Sequence, residues 1–206
     1  MNAVVPVVLA AGLSRRMGFP KALLPLGGGT FLTCILDRVQ QLNLGEPIVV
    51  LGAHAAHIQP ALAQRPVRVL LNRNFSLGQI SSIRLAIENL SLECRACLIW
   101  PVDHPSVSGN LVADLVRLFM KSEAPLVLPF YEGRRGHPAV VGRSLFQEVL
   151  EAPAEGGMKA VIQRHEDSIA LLPTLEASTV LDVDTPGDYL SLTGESLEAA
   201  LARAHR

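Results

Sequence analysis

An apolar run, VVPVVLAA, opens at Val4 and stops at Gly12, and a loop carrying Ser14, Arg15, Arg16, Gly18 and Lys21 follows at once. A short, β-branched apolar run is the pattern of a buried parallel strand, whose two faces are both covered. In open α/β sheets ligands sit beyond the carboxyl ends of the strands, where this loop emerges. Glycines let the backbone approach a ligand closely, successive N–H groups cradle phosphate, and three cations neutralise it. The stretch from Val4 to Lys21 reads as a triphosphate-binding loop on a parallel strand. It is not a P-loop of the form G-x-x-x-x-G-K-S/T, because Gly12 and Gly18 are too far apart and Lys21 follows Phe19-Pro20. The dinucleotide fingerprint G-x-G-x-x-G is absent as well.

The rest of the chain supplies the other strands. With 206 residues it is expected to form one domain burying roughly 70% of its unfolded surface. That domain is expected over residues 1–194, with a C-terminal helix or tail over 195–206. Hydrophobic residues are 49% and aromatics only 4%, so the core must be aliphatic. A formal net charge of −1 argues against a general nucleic-acid binder. Cys94 and Cys97 form a C-x-x-C, but no second pair completes a zinc site and Cys97 opens an apolar run, so core or surface thiols are expected. The N-terminus lacks a basic n-region and no apolar run reaches membrane-spanning length, which suggests a cytoplasmic protein.

In chain order, Gly27-Gly28-Gly29 is a turn, and Thr30 caps a helix with Phe31, Leu32, Ile35, Leu36 and Val39 at helical spacing. Further strands are expected at Pro47–Gly52, Val67–Leu71, Cys97–Val102, Pro125–Pro129 and Ile169–Leu172. His54 and His57 have no carboxylate beside them and read as part of a surface helix. The loop Asn72–Ser82 leads from a strand end into a helix, the usual place for ligand contacts. Asp103 follows the fourth strand. A carboxylate there is costly unless solvated, paired or metal-bound, and magnesium takes one or two carboxylates with water and substrate phosphates. A helix from about Ser108 to Met120 follows. Arg134, Arg135, Gly136 and His137 form a turn whose arginines suit an anionic acceptor such as a phosphomonoester. Thr185, Pro186 and Asp188 make a helix start. Asp182 and Asp184 alternate with apolar residues, so both are expected on one side of an extended segment.

These segments resemble nucleotidyltransferases of the molybdenum cofactor cytidylyltransferase and guanylyltransferase type. LAAGLSRRMGFPK is similar to that family's L-A-A/G-G-x-S-x-R-M-G-x-x-K. The resemblance continues in order through Asn72–Ser82, the D-x-P at Asp103 (with Val102 where the family has Gly), the G-H-P at Gly136, and D-x-D-T-P at Asp182–Pro186. It implies a three-layer α/β/α Rossmann-like fold with a mostly parallel sheet, and transfer of a nucleoside monophosphate from an NTP with release of pyrophosphate. It implies nucleotide contacts from Leu9, Ala10, Ala11, Gly12, Ser14, Arg15, Arg16, Lys21, Gly78 and Ser82, with Arg15, Lys21 and Asp103 central to catalysis. It further implies Mg2+ on Asp103 and Asp184, with Asp182 in support, and an acceptor wall from Arg134, Arg135, Gly136 and His137. The G-R-R-G-H-P and V-D-H-P combination is nearer the cytidylyl branch, which suggests CTP and a molybdopterin-type acceptor, with a molybdoenzyme or its chaperone as partner. A sugar-1-phosphate nucleotidyltransferase and a non-catalytic nucleotide or cofactor carrier are the alternatives.

Overall fold

The computed structural model describes residues 3–204. Strand β1, Val4–Ala10, lies in the middle of an eight-stranded sheet. Its side chains alternate between two cores: Val4, Val8 and Ala10 enter one, Val7 and Leu9 the other. This is the period of two that an extended chain imposes. Strands β2 (Pro25–Leu26) and β3 (Gly29–Thr30) pair only with each other, in a small hairpin turning at Gly27-Gly28. Both turn glycines have positive φ, 56° and 87°, which glycine adopts freely. Next come β4 (Ile48–Leu51), β5 (Arg68–Leu71), β6 (Ala96–Pro101), β7 (Leu126–Tyr131), β8 (Arg134–Arg135), β9 (Ala139–Gly142) and β10 (Ala170–Pro173).

The order across the sheet is β10-β7-β9-β6-β1-β4-β5, with β8 paired to β7. All neighbours are parallel except those of β9 and the β7–β8 hairpin. The reversal follows from chain length: β7 turns back through a two-residue turn at Glu132-Gly133 (φ 45° and 78°), and only antiparallel strands can be joined so tightly.

Helices cover both faces. On the first lie α1 (Phe31–Gln41), the short α2 (Ala55–Ile58), α4 (Gly109–Lys121), α7 (Pro186–Thr193) and α8 (Leu197–Ala204). On the second lie α3 (Gln79–Glu88), α5 (Phe146–Glu151) and α6 (Gly157–Arg164). Start signals in the sequence explain where several begin. Thr30 and Thr33 form a reciprocal capping box for α1, Ser108 accepts from Leu111 N–H to cap α4, and Thr185 and Asp188 box the start of α7.

One expectation needs correction. The chain from Thr179 to Asp184 is not a strand: a single 3-10 turn, Ala177–Thr179, leads into irregular backbone. Asp182 and Asp184 therefore do not share a side. In the segment expected as a C-terminal helix or tail, Leu197–Ala204 form α8, which buries Leu197 and Ala200 in the first core; residues 205 and 206 lie outside the described region. Cys94 and Cys97 are buried, and burial pushes both thiols up from their ordinary value, away from thiolate chemistry. Among the described residues no helix is long and apolar enough to cross a membrane.

Candidate active site

The connection leaving β1 runs to β4 on one side, and the connection leaving β6 runs to β7 on the other. Where adjacent parallel strands send their connections apart, a crevice opens at their carboxyl ends. Here it is a cleft of about 380 Å³. Its walls include Leu9 to Arg16, Lys21, Gly78, Ser82, Val102, Asp103 and Asp184.

The loop after β1 is fixed by its own backbone and by β4. Ser14 takes a left-handed φ of 49°, and its carbonyl accepts from Met17 N–H at 3.1 Å and Gly18 N–H at 3.0 Å. Ser14 Oγ accepts from Lys21 N–H at 3.1 Å, and the Met17 side chain is buried beneath. Gly52, just past β4, lies so close that a Cβ there would meet Ala11 O at 2.5 Å. Next to it Ala53 N–H donates to Ala11 O at 3.2 Å. His54 Nε2 lies 3.0 Å from Leu13 O, and since a carbonyl only accepts, that nitrogen carries the hydrogen. From the other neighbour, Val102 N–H donates to Leu9 O at 3.1 Å.

Charge converges in this cleft. Lys21 Nζ donates to Asp103 Oδ2 at 3.1 Å and also to Asp184 Oδ1. Arg16 Nη2 donates to Asp184 Oδ2 at 2.7 Å. Lys21 is 11% exposed and the two carboxylates 28% and 23%, so these are shielded pairs, while Arg15 and Arg16 stand in solvent. The carboxylates come from distant parts of the chain and are brought together by main chain, through Val183 N–H donating to Asp103 O at 3.1 Å. Asp184 N–H is itself held by Asp188 Oδ2 at 3.0 Å. Opposite, Asn72 Nδ2 donates to Ser82 Oγ at 2.9 Å, and Phe75 and Gln79 join Gly78 and Ser82 on the wall.

Two carboxylates aimed at one cation position, part open to solvent, suit a hard divalent ion that completes its shell with water and phosphate oxygen. Among the described residues no group of three or more His, Cys, Asp or Glu side chains gathers. A two-carboxylate donor set is therefore what this chain offers.

The residues expected at an acceptor wall are arranged differently. Arg134 Nη2 donates to Val180 O at 3.3 Å, and Arg135 pairs with Glu166 at 2.5 Å. His137 N–H donates to Thr179 O at 2.7 Å, and a Cβ on Gly136 would sit 2.5 Å from that same oxygen. None of the four borders the cleft; Arg134, Gly136 and His137 instead hold the 179–180 backbone that leads to Asp184, while Arg135 faces Glu166. Asp182, expected to support the metal, instead reaches His104 Nε2 at 2.7 Å. His104 Nδ1 is 3.1 Å from Ser178 O, a carbonyl that only accepts, so with an ionised Asp182 at Nε2 the arrangement favours the imidazolium form. Burial opposes that charge, but the hydrogen bond to Asp182 and the nearby Asp103 outweigh it and raise the His104 pKa. The same hydrogen bond holds Asp182 below its usual value. His137, with its ring centroid 4.9 Å from that of His104, is pushed down to about 4 by burial and then by the neighbouring imidazolium.

Sequence reasoning missed His54, and within the Asn72–Ser82 loop expected to carry ligand contacts it singled out Gly78 and Ser82 but not Phe75 and Gln79. His54 stands three positions past the end of β4, a signal close to the one that pointed to Asp103, two past the end of β6.

Comparison with known proteins gives the family. Residues 6–169 match the family model described as a MobA-like NTP transferase domain. The chain belongs to that family. A probable molybdenum cofactor guanylyltransferase of Rhodopirellula baltica is 40% identical over 190 residues, covering 88% of each chain. A molybdenum cofactor cytidylyltransferase of Escherichia coli K12 is 26% identical over 193 residues, covering 93% of this chain and 96% of its own. A crystal structure of Rv0371c from Mycobacterium tuberculosis H37Rv in complex with manganese has a TM-score of 0.80 at 25% identity, covering 94% of this chain and 100% of that one. The three-layer, mostly parallel sheet is thus the fold of the MobA-like NTP transferases, and the chain is a nucleotidyltransferase.

Proposed function

We propose that this nucleotidyltransferase moves a nucleoside monophosphate from CTP to the terminal phosphate of a molybdopterin-type acceptor and releases pyrophosphate. The observation that carries this reading is the convergence of Lys21, Arg16, Asp103 and Asp184 at the carboxyl ends of β1 and β6. An acceptor phosphate oxygen attacks the α-phosphorus, and the bond to the β,γ-diphosphate breaks, its electron pair leaving on pyrophosphate. A phosphomonoester is already largely ionised at pH 7, its second pKa being about 6, so no general base is needed. The loop cations Arg15, Arg16 and Lys21 neutralise the leaving group, and backbone N–H groups of the Gly12–Gly18 turn orient it. Gly78, Ser82 and Phe75 form the wall for base and sugar. Asp103 and Asp184 would hold Mg2+, which supplies charge neutralisation between the two reacting anions. The exposed Arg134 and Arg135 draw the anionic acceptor from the far side of Asp184, while Gly136 and His137 shape that side by holding the 178–180 backbone. The product passes to a molybdoenzyme or its chaperone in the cytoplasm.

GTP is the second reading, favoured by the 40% identity to the probable guanylyltransferase. The deciding experiment is pyrophosphate release from CTP, GTP, ATP and UTP with molybdenum-loaded pterin cofactor, with and without Mg2+. Release with CTP alone supports the proposal. Release with GTP alone moves it to the other branch. Silence with every nucleotide and intact acceptor overturns the acceptor, and turnover with sugar 1-phosphates would replace it.

A further inference from the structure

The carboxylate pair already has a cation between its two halves, and that cation belongs to the chain. Lys21 Nζ donates to both Asp103 and Asp184, and Arg16 takes the remaining Asp184 oxygen. Lys21 is the least exposed of the four side chains, at 11%; its main-chain N–H is pinned to Ser14 Oγ, and its ammonium is held by the two carboxylates. The same two cations line the cleft in which a triphosphate would lie. They cannot fully neutralise the carboxylates and a triphosphate together, because each ammonium or guanidinium proton satisfies one acceptor at a time.

We infer that Lys21, assisted by Arg16, is a built-in counter-ion that holds the divalent cation's place and is released to the triphosphate only when metal and nucleotide arrive together. The inference rests on the function proposed above and adds a coupling to it. Metal alone must displace Lys21 from two carboxylates with no phosphate to receive it, and nucleotide alone must draw Lys21 away and leave those carboxylates uncompensated. Either event alone is unfavourable, and both together exchange one complete set of ion pairs for another. By linkage, metal then tightens nucleotide binding by the same factor as nucleotide tightens metal. The arrangement makes the chain indifferent to free divalent ions and to free nucleotide, and responsive to the metal–nucleotide complex.

The test is direct Mn2+ titration of the intact protein without nucleotide, read by the free-ion paramagnetic resonance signal. Lys21→Met should bind Mn2+ at least about tenfold tighter than wild type, the factor corresponding to one lost charge-assisted bond to a carboxylate. Lys21→Arg should stay near wild type. Arg16→Gln, an exposed change that leaves folding intact, should show a smaller gain of roughly threefold. In a Lys21→Met/Asp184→Asn double variant the gain should vanish. Repeating the titration with CTP should show strong mutual tightening in wild type and much less in Lys21→Met. Equal or weaker Mn2+ binding by both Lys21→Met and Arg16→Gln overturns the inference, and does so without touching the function if wild type still releases pyrophosphate. Retention of the gain in the double variant also overturns it, since the ion would then be bound elsewhere. Tighter Mn2+ binding beside a wild type silent with every nucleotide and acceptor supports the inference and overturns the function.

Discussion

The two sides of the sheet's carboxyl edge use polar side chains in opposite ways. Around β1 and β6, backbone holds backbone: Ser14 O, Leu9 O, Ala11 O and Asp103 O all accept from main-chain N–H groups. This leaves Arg15, Arg16, Lys21, Asp103 and Asp184 directed into the cleft. Around β8 and β9, side chains help to hold backbone: Arg134 reaches Val180 O, His104 reaches Ser178 O, and Asp182 is committed to His104. A polar residue at a strand end is available to a ligand only where the scaffold has not already used its hydrogen bonds. The first region should therefore fail chemically when altered, and the second structurally.

The largest expected effect tests the first half of that contrast. Asp103→Ala should lower pyrophosphate release by about a thousandfold or more, equivalent to ~4 kcal/mol of transition-state stabilisation, with an unchanged melting temperature. A comparable loss of stability would break the contrast. Gly136→Ala should do the reverse, because the added methyl collides with Thr179 O, which cannot withdraw without moving the loop to Asp184. A loss of ~2–3 kcal/mol in denaturant titration is expected, in the range of overpacking in a filled interior. Asp182→Asn sharpens the comparison through pH. Because the folded His104 pKa is raised, its stabilisation is fully present below the ordinary histidine value and fades as pH rises through the higher folded one. The variant should cost about 1 kcal/mol at pH 5.5, the exposed face of Asp182 screening the pair, and almost nothing at pH 9. An equal loss at both pH values would show that the imidazolium has no part in it. The smallest effect is Arg135→Ala, whose ion pair with Glu166 is solvent-facing. Less than about 0.5 kcal/mol of stability should change, and any loss of turnover would then belong to acceptor capture, read as a raised KM at unchanged kcat.

The strand at Val4–Ala10 and the cleft's loop were legible because one rule covers both: a doubly buried strand is continuously apolar, and its carboxyl end carries the ligand contacts. Asp103 followed from the same rule, and the helix starts at Thr30, Ser108 and Thr185 from capping chemistry. Asp182 was misread because a period of two has meaning only on extended chain, and nothing local marks Thr179–Asp184 as irregular. Its true partner, His104, is remote in sequence, and which of two nearby carboxylates a histidine selects is decided by tertiary packing. The reversal of β9 was equally hidden, since an apolar strand reads alike in either direction, although the tight Glu132-Gly133 turn hinted at it. His54 was passed over because it reads as part of a surface helix, while its work here is to tie its ring to Leu13 O.

The hydrogen bond from Val183 N–H to Asp103 O joins the main chain beside the two cleft carboxylates directly, without passing through the strands that separate them in sequence. Their spacing thus has a direct main-chain tie of its own, beside the bracing that Arg134, Gly136 and His137 give the 179–180 backbone. Loops on that flank that do not brace the 178–180 backbone can lengthen, shorten or change sequence while the reacting centre keeps its dimensions. Acceptor preference can then drift independently of chemistry, as if the flank were an interchangeable adaptor on a fixed socket.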